Sequence, residues 1–172
     1  MPGPDRDFWQ RRFVQQQTPW DRAAPGPQIA TWIADGTLRA GLRIAVPGCG
    51  SGHDVLALVQ AGCDVTAIDY ASAAIALTQE RLVAHGAHAQ VVQADVLAWQ
   101  PLSPLDAVYE QTCWCALHPD HWAAYAAQLA LNLTWSFLFF GGRMIGTALA
   151  EIVLLLAVIG VEAFNDYFDS RL

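Results

Sequence analysis

Between residues 42 and 116 the chain alternates short apolar runs with helical patterns, separated by glycines. Leu42 to Val46 is an apolar, partly β-branched run suited to a buried parallel strand. "PGCGSG" breaks it, and "HDVLALVQAG" follows with Val55, Leu56, Leu58 and Val59 at helical spacing and Gly62 as a natural stop. "DVTAIDY" predicts a second strand ending on Asp69, and "ASAAIALTQERLVAHG" a helix stopping at Gly86. "AQVVQADVL" predicts a third strand with Asp95 at its C-terminal end. "LDAVYEQTCWCAL" predicts a fourth, ending near Glu110 and Gln111, with Cys113 and Cys115 alternating on the strand end. Upstream, Phe8, Trp9, Arg12 and Phe13 fit an amphipathic helix. Four βα steps in succession imply a parallel sheet with helices on its faces.

In such a sheet, ligands bind outside the carboxyl ends of the strands. Asp69, Asp95, Glu110 and the glycine loop all fall there. The loop reads GxGxG through Gly48, Gly50 and Gly52, not GxGxxG, and Asp54 follows in the first helical turn. A carboxylate at that helix start repels a pyrophosphate. It is compatible with a phosphate-free ligand such as S-adenosylmethionine. Asp69 stands about twenty residues past the first glycine, where an acid accepts hydrogen bonds from ribose hydroxyls. Each residue also has a plainer role open to it. Trp9 and Trp20 are candidate packing aromatics, Asp69 a candidate helix N-cap, and Asp95 a candidate turn residue.

Charge narrows the partners. The net charge of −7 and pI of about 4.9 disfavour nucleic acid, and every basic residue is arginine. The four cysteines form neither a CxxC pair nor a Cys/His set with zinc spacing, so no metal site is expected. Free thiols fit a reducing, cytoplasmic setting, and "MPGPDRDFWQRRF" has no apolar signal-peptide region. His118 and His121 in "HPDHW" are expected to cap a helix.

"FWQRRF", "TPWD", "VPGCGSGHD", "VTAIDYA", "QADVL" and "DAVYEQTCWCAL" resemble, in order and spacing, the thiopurine S-methyltransferase family with its thiol and halide methyltransferase relatives. The resemblance spans about residues 8–129. It implies a Rossmann-like class I core that uses S-adenosylmethionine to methylate a small thiol-like or other soft anionic acceptor. It implies an N-terminal segment folded over the donor, with Trp9 and Trp20 lining the pocket. Gly48, with Gly50 and Gly52, carries over as the glycine loop, Asp69 as the ribose acid, and Asp95 with Val96 as the adenine edge. Gln111 takes the position after the fourth-strand acid. No residue is assigned a catalytic role, because an ionised acceptor attacking a sulfonium methyl needs no dedicated base.

From Trp122 to Gly160 the pattern changes: only Arg143 and Glu151 carry charge. The stretch fits two helices of about twenty residues, the length that crosses a bilayer. "YAAQLALNLTWSFLFFG" and "TALAEIVLLLAVI" resemble the third and fourth membrane helices of the tryptophan-rich sensory or translocator protein (TspO) family, with Asn132, Trp135 and Glu151 at matching positions. This predicts a methyltransferase-like domain over 1–126 and an apolar helical hairpin over 127–172, with the sheet truncated and membrane association through 122–164. In the competing soluble reading, Met144 to Ala148 forms a fifth strand after "GGR". Three functional readings stay open: a methyltransferase impaired by truncation, a membrane-associated TspO-like fragment with a passenger domain, and an inactive S-adenosylmethionine-binding module.

Overall fold

The computed structural model describes residues 4–130. In chain order they form α1 (Arg6–Val14), α2 (Pro27–Ala34), β1 (Arg43–Pro47), α3 (His53–Gln60), β2 (Asp64–Asp69), α4 (Ser72–Ala84), β3 (Gln90–Gln93), β4 (Ala107–Val108) and α5 (Cys113–Ala116). A 3-10 turn at Pro119–His121 follows, and residues 122–130 are helical. The strands pair in the order β3-β2-β1-β4, all parallel. Asp69, the last residue of β2, stands opposite Gln93, the last of β3.

The central strands β1 and β2 are buried on both faces, as their near-continuous apolar runs require. Successive β1 side chains go to opposite sides: Ile44 and Val46 join a cluster with Ile29, Val55, Leu58 and Leu82, while Ala45 joins Ile68, Leu105, Trp114, Tyr125 and Leu129. The first cluster is covered by α2, α3 and α4. The second is covered by α5 and the helix over 122–130. Tyr125 is 1% exposed and Leu129 6%, so the start of the long apolar stretch closes the core from the second face.

The glycine loop is set by steric contact. Gly48, Gly50 and Gly52 have φ of 63°, 55° and 78°, the left-handed region that favours glycine. At Gly52 a Cβ would stand 2.8 Å from Thr78 Oγ1 and 2.9 Å from Thr78 Cα, so the loop rests directly on α4. Thr78 Oγ1 also donates to Gly50 O at 3.0 Å, and Arg81 Nε to Ser51 O at 2.7 Å.

Several expectations are corrected. No helix links β3 to β4; residues 94–106 run as turns and irregular chain, so the third βα step lacks its helix. The fourth strand is only two residues long, and Cys113 and Cys115 lie in α5, not on a strand. Asp95 stands two residues beyond β3. Asp69 is not the N-cap of α4; that position is Ala71. Helix α2, with Pro27 in its first turn and Ile29 buried, was not foreseen. Residues 131–172, which carry Asn132, Trp135, Glu151, the hairpin loop and the candidate strand Met144 to Ala148, lie outside the described residues. Among the described residues no helix is long and apolar enough to cross a membrane.

The loop packing makes a quantitative prediction. Gly52→Ala meets both a left-handed φ and the Thr78 backbone, and should destabilise the protein by roughly 2–4 kcal/mol. Gly36→Ala has a similar φ of +80° but nothing within 4 Å of the new Cβ, and should cost only about 1–2 kcal/mol. Denaturant midpoints of both variants check this; equal losses would show that contact with α4 does not matter.

Candidate functional site

The carboxyl ends of the strands open into a cavity of about 660 Å³. Ligand pockets commonly hold about 300–1,000 Å³. Its floor is the glycine loop together with the ends of β2 and β3. Asp69 is 7% exposed, and its two oxygens accept from Gly50 N at 3.0 Å and Ala71 N at 2.9 Å. Burial raises its pKa, against the lowering effect of those N–H groups and that of Tyr70. Asp95 Oδ1 accepts from Leu97 N at 2.9 Å, and its carbonyl from Ala98 and Trp99 N–H, so Asp95 is also the turn residue that the plainer reading allowed. Val96 between them is nearly buried, and its N–H has no hydrogen-bond partner among the described residues.

The roof is the N-terminal segment. Trp9 of α1 meets Trp20 edge-on at 5.5 Å, and Phe13 meets Trp20 at 6.2 Å, so three rings border the cavity. Helix α1 is anchored by Gln10, whose Oε1 accepts from Ala73 N at 3.0 Å and Ser72 Oγ at 3.1 Å. Gln10 thereby caps α4, which has no side-chain cap of its own.

Two carboxylates clasp this segment to the core, one from each side. Asp21 takes Ala23 N at 2.8 Å and the Ser51 hydroxyl, and lies 3.6 Å from His53 Nε2. Burial alone would raise the Asp21 pKa, but the Ser51 and Ala23 bonds, His53 and Arg81 hold it below the usual carboxylate value. From the core, Asp54 Oδ1 accepts from Gly26 N at 2.6 Å. With the Gln111 amide turned so that both ends are satisfied, its nitrogen donates to Asp54 Oδ2 and Tyr109 Oη at 3.0 Å each, and its oxygen accepts from Arg22 Nη2 at 2.8 Å. Burial raises the Asp54 pKa, opposed by Gly26 and Arg22. A Cβ at Gly26 would run into Tyr109 Oη, so a larger residue there would have to displace the Tyr109 ring.

The segment after β4 forms the remaining wall. Glu110 Oε1 accepts from Trp114 N at 3.1 Å, starting α5, while its Oε2 has no hydrogen-bond partner among the described residues. Burial pushes the Glu110 pKa up to about 7, against the lowering effect of the Trp114 and Cys113 N–H groups. Burial also pushes the Cys49 thiol up to about 12, so it is not a nucleophile. His118 Nδ1 lies 3.3 Å from Asp120 N and 3.2 Å from Asp120 Oδ2, so it caps the turn as an acceptor in one tautomer and bonds the carboxylate as a donor in the other.

The structure brings Trp9, Trp20, Gly48, Gly50, Asp69, Asp95, Val96 and Gln111 together around one cavity. Gly52 is not among the lining residues; it acts one step back, by letting the loop rest on Thr78. Sequence reasoning missed Phe13, Asp21, Arg22 and His118 as wall residues. Arg22 adjoins the "TPWD" motif, but its partner Gln111 is remote in sequence. Among the described residues six aspartates and one arginine line the cavity, a balance suited to a ligand that brings positive charge and unsuited to phosphate. No group of three or more His, Cys, Asp or Glu side chains among the described residues could hold a metal ion.

A sequence model of thiopurine S-methyltransferase matches residues 4–140, ten positions past the last described residue and into the apolar stretch. Thiocyanate methyltransferase 1 of Arabidopsis thaliana is 29% identical over 123 residues, which cover 70% of this chain and 54% of that protein. The probable thiol methyltransferase 2 of Arabidopsis thaliana is 29% identical over 113 residues, 64% of this chain and 50% of that one. This chain thus spans about half the length of the curated relatives it matches. A structure solved in work on the conversion of a disulfide bond into a thioacetal group during echinomycin biosynthesis superposes with a TM-score of 0.63 at 26% identity, covering 72% of this chain and 53% of that one. A Burkholderia thailandensis N1-methyltransferase, with bound 1,6-didemethyltoxoflavin and S-adenosylhomocysteine, superposes at 0.60 and 21% identity, covering 74% and 55%; it is similar in fold.

Glu110 supplies a stability prediction independent of any ligand. Its pKa in the fold, about 7, exceeds the ordinary 4.5, so the folded state binds the extra proton and wild-type stability falls as pH rises through that window. Glu110→Gln removes the slope. The stability of the variant relative to wild type should rise by about 3 kcal/mol between pH 4 and pH 8. Urea melts at both pH values check the sign; a constant difference would refute a neutral buried Glu110.

Proposed function

Because the chain belongs to the thiopurine S-methyltransferase family, we propose that it binds S-adenosylmethionine in the 660 Å³ cavity and transfers the methyl group to a small soft sulfur acceptor. The observation that carries this reading is the convergence of a phosphate-excluding glycine loop, the acids Asp69 and Asp95, and an aromatic roof on one acid-lined cavity. The curated relatives are named for thiocyanate and for thiols, both soft sulfur acceptors.

When bound, the donor supplies a methyl group already activated on a sulfonium. The chain's residues bind, orient and exclude water. Asp69 spends one lone-pair site of each oxygen on Gly50 and Ala71, which leaves further sites for ribose hydroxyls. Asp95 and the open Val96 N–H form the adenine edge. The ring faces of Trp9 and Trp20 attract a cation and keep water from it. Gln111 acts through Asp54 and Arg22 to hold the roof down.

Calorimetric titration with S-adenosylmethionine tests the reading on the full chain. Binding heat is expected, with affinity about tenfold weaker in Trp20→Ala, equivalent to about 1.4 kcal/mol of lost contact. Trp20 is 38% exposed, so the variant should fold normally. A folded wild-type protein that gives no heat at saturating donor would sink the proposal; binding without turnover on thiols and thiocyanate would identify a donor-binding module.

A further inference from the structure

The sheet order β3-β2-β1-β4 lays the proposed donor contacts out in sequence: adenine at the end of β3, ribose at β2, the amino-acid arm at the glycine loop after β1. The acceptor then falls to the segment after β4, residues 111–121. That segment gives the cavity Thr112, Cys115, Leu117, His118, Asp120 and His121. Asp120 adds to the carboxylates around the cavity, against which Arg22 is the one lining arginine among the described residues and is already engaged with Gln111. An anionic acceptor would enter against that field, whereas a neutral thiol would not. A neutral thiol must lose its proton before its sulfur can displace a sulfonium, and this calls for a base at the acceptor end.

We propose that His118 is that base and that the acceptor is a neutral thiol, an inference that rests on the functional reading above. The geometry comes from a His–Asp pair on the cavity wall. Asp120 Oδ2, on a side chain 83% exposed, lies 3.2 Å from His118 Nδ1; with the proton on Nδ1 this charge-assisted bond replaces the one that Nδ1 otherwise accepts from the Asp120 N–H at 3.3 Å. Nε2 is then the lone-pair nitrogen of a ring 32% exposed at the cavity wall. Among the described residues, Asp120 and the His121 ring, at 6.3 Å, face His118. The second His–Asp pair, His53 with Asp21, stands at the loop after β1 and clasps the N-terminal segment, away from the acceptor wall.

The step balances. The S–H proton passes to Nε2, and the electron pair left on the thiol sulfur forms the new S–C bond. The sulfonium C–S bond breaks with its pair kept by the departing sulfur as a neutral thioether, and the proton leaves Nε2 for water. Asp120 is a positioning residue that holds the tautomer.

The test compares wild type, His118→Gln and Asp120→Asn with ethanethiol, protonated at pH 7, and thiocyanate, which is always an anion. Donor binding is first measured on each protein. His118→Gln should lower kcat/KM for ethanethiol about a hundredfold at pH 7, change thiocyanate transfer less than about threefold, and recover towards wild type as the thiol ionises at high pH. Asp120→Asn should give a smaller, equally thiol-specific loss. With S-adenosylhomocysteine in place of donor, ultraviolet absorbance of bound thiol should show a thiolate in wild type and none in His118→Gln. Equal losses with both acceptors, no loss with thiol, or no thiolate in wild type would overturn the assignment alone. Failure of wild type to bind donor would overturn the functional reading and this assignment with it.

Discussion

A carboxylate buried at the end of β2 holds together the loops on which the site is built. Asp69 takes one N–H from the glycine loop after β1 and one from the start of α4, so two segments nineteen and two residues away meet on one side chain. Neither N–H has a strand partner, and a buried unsatisfied donor costs about 1–3 kcal/mol. The acid supplies both acceptors at once. It stays in a place that penalises its charge, because the N–H groups return part of what burial removes. The loop can come this close only because Gly52 lets the chain touch Thr78. The side chain that orders the floor also presents its remaining acceptor sites upward. Structural and binding roles are therefore not alternatives at Asp69.

The roof follows a related logic with the partners reversed. Core residues supply acceptors to the N-terminal segment through Asp54, and the segment supplies an acceptor to the core through Asp21. Gln10 completes the exchange by capping α4 from outside. Each contact joins residues far apart in sequence, so the roof forms only once the sheet exists. Its order is conditional on the floor, as expected of a cover that has to admit a ligand.

The strand, glycine loop, helix and terminal acid over 43–69 were legible in sequence because each piece is local: a β-branched run, glycines at φ > 0, a 3.6-residue period and a fixed distance to Asp69. Gly48, Asp69 and Asp95, carried over by family resemblance, converge for the same reason, standing at or just past strand ends, while Trp9 and Trp20 come in from the N-terminal segment. What escaped was long-range. Arg22 and Gln111 are separated by most of the chain, and nothing near either one announces the other. The "QTCWCAL" run alternates like a strand, yet Glu110 offers its carboxylate to the N–H groups of Cys113 and Trp114 and turns the chain into a helix. Residues 94–106 carry turn residues where a βα unit would carry a helix, and Asp95 begins that irregular path by binding Leu97.

The first nine residues of the apolar stretch, 122–130, show what hydropathy alone leaves open. A helix apolar on all sides is read equally well as a bilayer span or as one pressed between packed layers. What separates the two is which solvent the rest of the molecule needs covered. Here the second face of the sheet, with Ala45, Ile68 and Leu105, must be shielded from water, and Tyr125 and Leu129 do it. Gln128 shows the consequence for polar groups. Its amide donates to the Trp99 carbonyl in the β3–β4 connection, a contact that ties the helix to the irregular chain below it. It satisfies a backbone carbonyl that no strand or helix would otherwise pair. Residues 122–130 are thus part of the fold, with Trp122 and Gln128 donating to backbone carbonyls and Tyr125 and Leu129 buried, and the family match runs on to residue 140.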